Sequence, residues 1–98
     1  MNTANLQLAG LYAAVAAITN ALRDKGLLTE AEIEAALRGA ETMTERDPLR
    51  AEAVSISNVE AICFPIRYLR QANRSGAAGE RLTFTEITQR VAEHKPER

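Results

Sequence analysis

From Leu8 onward the apolar residues Leu8, Leu11, Val15, Ile18 and Leu22 recur at alternating steps of three and four, a spacing that lines one side of an α-helix. The other side of the same stretch carries Gly10, Ala14, Ala17 and Ala21, small enough for a second helix backbone to approach closely. No charged side chain occurs in residues 1–22. A surface helix of a monomer normally shows a charged face, so a helix apolar nearly all round is expected to be covered on more than one side. Either the remaining helices of the chain wrap it, or a second copy does. The expectation here is the second, a homodimer in which helix hairpins share a bundle and the five larger residues form the self-association seam.

The rest of the chain divides at start and stop signals. The first helix is predicted over about 3–25, ending at Gly26, with Arg23 and Lys25 in the last turn and Leu27 folding back. Thr29 and Glu32 form a capping box, with Leu28 and Ile33 placed as a hydrophobic staple, so a second helix is predicted over about 30–46. Its apolar side reads as Ile33, Ala36, Leu37, Ala40 and Met43, and its solvent side as Glu30, Glu34, Arg38, Glu41 and Glu45. The short connection makes these two helices an antiparallel αα-hairpin.

Asp47-Pro48 starts a third helix, predicted over about 48–73. Ser57 and Glu60 offer a second start within it, and Pro65 removes a backbone bond, so a break or kink is expected within about 55–65. Asn73 to Glu80, with Ser75, Gly76 and Gly79, reads as a mobile loop. Thr83 and Glu86 repeat the capping box, Leu82 and Ile87 repeat the staple, and a short fourth helix is predicted over about 84–94, before Lys95-Pro96. The recurrence of Leu-Thr-x-x-Glu-Ile at Leu28–Ile33 and Leu82–Ile87 is explained by capping chemistry more economically than by duplication. The expected architecture is therefore all-α: one small four-helix, bundle-like domain over residues 1–98, completed by dimerisation.

Composition narrows the function more than it identifies it. With 98 residues, 46% of them hydrophobic and 26% charged, the chain is a globular domain with a modest core. A formal net charge of -1 gives no global attraction to nucleic acid. The single Cys63, flanked by Ile62 and Phe64, reads as a buried thiol in a reducing compartment, and the expected location is cytoplasmic. A secretory signal would begin with a basic segment, whereas the start is Met1-Asn2-Thr3-Ala4-Asn5. Thr19 and Asn20 interrupt the apolar stretch, so no membrane span is expected.

Arg67, Arg70 and Arg74 fall at i, i+3 and i+7 and, with Arg81, make a stripe available to an anion or an acidic protein partner. The competing reading is a helix face that meets solvent or pairs with Glu34, Glu41 or Glu45 of the second helix, and few aromatics accompany the stripe as stacking platforms for nucleic acid. A helix-turn-helix around Leu82–Val91 fails on loop length and on the absence of a following recognition helix. An EF-hand register through Gly26 and Glu32 places Ala21, Arg23 and Lys25 at the leading ligand positions, which excludes calcium. His94 is remote in sequence from Cys63, no Glu-x-x-His motif builds a di-metal site, and Gly76-Ala77-Ala78-Gly79 lacks the lysine of a phosphate loop. No catalytic residue, metal or cofactor is expected. The expected function is a non-enzymatic, self-associating interaction or accessory protein, with a small nucleic-acid-associated regulator as the alternative.

Overall fold

The computed structural model describes residues 3–47 and 56–93. Among them the chain forms four helices and no strand: α1 (Thr3–Asp24), α2 (Glu30–Glu45), α3 (Ile56–Ala77) and α4 (Phe84–Glu93). The chain is thus a small all-α domain.

The ends of these helices follow local chemistry. Gly26, at φ 75°, terminates α1: its amide donates to the Arg23 carbonyl, and the Leu27 amide reaches back to Leu22. That pair of bonds is a Schellman motif, which satisfies carbonyls that the end of the helix leaves free. α3 ends the same way. Gly79, at φ 80°, donates to Gly76, and Glu80 donates to Ser75. Both downstream helices then start on a reciprocal cap. The Glu32 amide donates to Thr29 Oγ1 at 3.0 Å while the Thr29 amide donates to Glu32 Oε1 at 2.9 Å. Thr83 and Glu86 repeat this at 3.2 and 2.9 Å.

Packing is organised around α3 rather than around the first two helices as a pair. α1 and α2 are joined by the short Lys25–Thr29 connection, yet each packs chiefly on α3, and α4 packs on α3 as well. The N-terminal hairpin is therefore a pair of arms held by a common helix. On one side of α3, Tyr68, Ala72 and Ile87 are buried, with Tyr12, Ala16, Phe64, Leu69 and Leu82 packed against them. α2 contributes the buried Ile33. The buried hydrophobic residues are only Ile33, Cys63, Tyr68, Ala72 and Ile87 among those described, a thin core for this chain length. The radius of gyration, 14.0 Å, exceeds the roughly 13 Å typical of a compact 100-residue domain.

Two sequence expectations are corrected here. α3 does not give way to a loop at Asn73 but continues to Ala77. Residues of low helix propensity are held there by their surroundings: Asn73 and Ser75 are buried, Asn73 makes tertiary bonds to Arg23 and to the Glu30 carbonyl, and Ser75 accepts from Gln71 one turn earlier in the same helix. On α2 the division into apolar and solvent sides is partly reversed. Glu41 is buried and Glu34 half-buried, while Met43 is 75% exposed and Ala36 and Ala40 are exposed. Two arginines on α3 make the glutamate side the inward one. α3 also runs as one helix through Pro65. The start expected at Pro48, the stretch through Ser55 and the tail from His94 lie outside the described residues.

Candidate functional site

Three arrangements of side chains stand out, and the first is the outer side of α1. None of its 22 residues is buried. Tyr12, Ala16, Thr19, Asn20 and Arg23 lie on the side toward α3 and are half-buried. Of the predicted seam, Leu8, Leu11 and Ile18 are 45%, 57% and 61% exposed, while Val15 and Leu22 are half-buried along its inner edge. Leu6 is 55% exposed on the opposite flank. Between Leu6 and the Leu11–Ile18 edge run Gly10, Ala14, Ala17 and Ala21, all exposed. The uncovered surface is therefore centred on the small residues, with the larger apolar ones as its borders. By length and composition α1 is also long and apolar enough to cross a membrane.

The second arrangement is a charged lattice between α2 and α3. Glu41 receives Arg67 Nε at 2.8 Å on one oxygen and Arg70 Nη1 at 2.9 Å on the other. Arg70 also donates from Nε to Glu34 at 2.7 Å, and Arg38 approaches the same Glu34 oxygen from within α2 at 3.4 Å. Burial alone would raise the Glu41 carboxyl, but hydrogen bonds from Arg67 and Arg70 outweigh it and hold the group below its ordinary value. Arg67, disfavoured by the same burial, is raised by Glu41, and Arg70 is raised first by its bond to Glu34. Two members of the predicted basic stripe are thus neutralised within the chain. Arg74 is exposed and donates to Gln71 at 3.4 Å, and Arg81 is exposed beyond the end of α3.

The third is an open groove of about 630 Å³ between α1, α3 and the start of α4. Tyr68, Ala72, Phe84 and Ile87 line it together with Ala13 and Ala17. All four aromatic residues of the chain meet beside it: Tyr12 lies 5.4 Å from Tyr68 and 6.1 Å from Phe84 between ring centroids, Tyr68 lies 5.2 Å from Phe84, and Phe64 lies 6.4 Å from Tyr12. Burial raises both tyrosine hydroxyls above their ordinary value. At one end Arg23 donates to Asn73 at 2.8 Å and to Asn20 at 2.6 Å, and Asn73 in turn donates to the Glu30 carbonyl at 3.1 Å. This node ties the end of α1 and the start of α2 to α3. It needs Gly76, where a Cβ would stand 2.5 Å from Asn20 Oδ1 and 2.6 Å from Arg23 Nη2.

Neither the aromatic cluster nor the Arg23–Asn73 node is visible in sequence periodicity, because each joins residues 50 or more positions apart. The signal that was present is compositional: a chain with so few aromatics has reason to gather them. Among the described residues no group of histidine, cysteine, aspartate or glutamate side chains is placed to hold a metal ion. Cys63, the single cysteine of the sequence, is fully buried. Comparison with protein-family models, curated proteins and solved structures returns no match to this chain.

Proposed function

We propose that this protein is a non-enzymatic helical interaction protein that associates with a second copy of itself through the outer side of α1. One observation carries the reading: a 22-residue helix with no charge before Arg23 is supported on one side only, leaving Leu6, Leu8, Leu11 and Ile18 in water. Contiguous exposed apolar surface of this kind marks interaction sites in soluble proteins. A second copy offers the same uncharged surface, and an isologous contact needs nothing else. The thin core supports the reading too, since small domains commonly gain stability from oligomerisation. A reducing, cytoplasmic setting suits a sequence whose single cysteine, Cys63, is buried.

The reading as a nucleic-acid regulator gains nothing from the geometry, because Arg67 and Arg70 are already held by Glu41 and Glu34. Membrane insertion of α1 would have to strip Tyr12 from its aromatic neighbours and Arg23 from Asn73. Sedimentation velocity over a hundredfold concentration range tests the proposal. The mass expected at the upper end is that of two chains, and a Leu11→Glu/Ile18→Glu variant should remain helical and sediment as one. A concentration-independent single-chain mass for the wild-type protein overturns it.

A further inference from the structure

We infer that the two copies pair antiparallel along α1, an inference that rests on the self-association proposed above. At about 100° per residue, Leu11 and Ile18 share one border of the exposed side, about 20° apart, while Leu6 lies on the other border about 140° away. The groove-lining Ala13 and Ala17 are on the Leu6 flank. The two ways of relating a pair of helices by a two-fold axis treat these borders differently. With the axis along the helices, the pair is parallel, and the Leu11–Ile18 border of each copy faces the alanine flank of the other. With the axis perpendicular to the plane of the pair, the helices are antiparallel, and both Leu11–Ile18 borders lie on the same side.

The antiparallel arrangement brings together what is most exposed. Setting Gly10 opposite Ala21 and Ala14 opposite Ala17 lets the backbones approach closely. It also places Leu11 level with Asn20 of the second copy and Ile18 level with its Ala13. The four large side chains then follow one another along a single edge as one apolar layer, rather than standing as two separated pairs against alanine.

Charge favours the same direction. The first turn of α1 holds no acidic residue, so the positive end of its dipole is uncompensated within the helix. Around the turn joining α1 to α2, exposed Asp24, Glu30 and Glu32 outnumber exposed Lys25 and half-buried Arg23. In the antiparallel pair that net-acidic turn lies beside the N-terminal turn of the other copy. In the parallel pair the two acidic turns meet.

Disulfide trapping distinguishes the arrangements, because Cys63 is fully buried and stays out of mild oxidation. Gly10→Cys and Ala21→Cys chains are oxidised separately and as an equimolar mixture. The expected result is a cross-linked dimer in the mixture, enriched at least tenfold over either variant alone. Cross-linking of each variant with itself, with no cross-link between the two variants in the mixture, overturns the antiparallel pairing while leaving self-association standing. A dimeric mass is measured on the same samples, and its absence overturns the underlying proposal as well. Spin labels at Gln7→Cys, an exposed polar position, give an independent readout if the trapping variants fold poorly. The labels should sit about 25 Å apart along the axis in the antiparallel pair, from 17 residues at about 1.5 Å each. A separation near 10 Å overturns the inference. Co-sedimentation of the wild-type chain with neutral phosphatidylcholine vesicles, accompanied by loss of the dimer, assigns the surface to a bilayer and overturns it too.

Discussion

Glu41 holds two guanidiniums, and removing its charge leaves both with less than they need. Breaking a fully buried pair typically costs about 3–5 kcal/mol. Because Arg70 keeps Glu34 and is itself a quarter exposed, Glu41→Gln is expected to destabilise by on the order of 2 kcal/mol, read by urea denaturation at pH 7. The pH dependence follows from the depressed carboxyl. Its contribution is fully present above the ordinary value of 4.5 and is lost as pH falls through the lower folded value. Wild-type stability should therefore decline below about pH 4.5, and the Glu41→Gln variant should decline less steeply over the same range. A second contrast at this scale concerns glycine. A Cβ at Gly39 meets nothing within 4 Å, whereas one at Gly76 meets Asn20 and Arg23. Gly39→Ala should raise stability by about 0.5–1 kcal/mol through helix propensity. Gly76→Ala should forfeit that gain by displacing the Arg23 bonds, so that thermal melts of the two variants separate.

At the scale of the element, α4 depends most on its start. It has ten residues, short of the length at which a helix is stable alone, and Thr83 supplies the reciprocal cap. Thr83→Ala should cost about 1 kcal/mol and raise amide exchange throughout α4, whereas Thr29→Ala should disturb mainly the first turn of the longer α2. Both caps are legible in the sequence because a capping box lies within four consecutive residues. Gly26, which ends α1, is legible for the same reason, whereas Gly79 reads as part of a loop until the continuation of α3 is seen. The inward side of α2 is not. Hydropathy assigns Glu34 and Glu41 to water, and only the placement of Arg67 and Arg70 on a separate helix turns them inward. The continuation of α3 past Asn73 is hidden likewise, since the partners that hold that asparagine belong to α1 and α2. The apolar seam of α1 is legible as a feature, but which of its borders faces water depends on where Tyr12 and Ala16 dock.

For the molecule as a whole, association and folding should be linked. A contact made only by the folded chain adds to stability by mass action. The midpoint of thermal unfolding is then expected to rise by roughly 3–5 °C for each tenfold increase in protein concentration above the dissociation constant, as measured by calorimetry. The Leu11→Glu/Ile18→Glu variant should show no such dependence. A wild-type midpoint that stays fixed over the same range would contradict the linkage.

The one-sided support of α1 has a further consequence in the time domain. α3 is flanked by three helices and opens only when the fold itself opens, so its amides should report global unfolding at any concentration. α1 leans chiefly on α3, with Tyr12 also against Phe84 at the start of α4, and in an isolated protomer it can detach through the glycine turn at Gly26 while α2, α3 and α4 stay assembled. Its amides should therefore exchange through a cheaper, local opening that a second copy suppresses. Diluting the protein should leave the protection of α3 nearly constant and erode that of α1, turning one helix into a reporter of whether the chain has company.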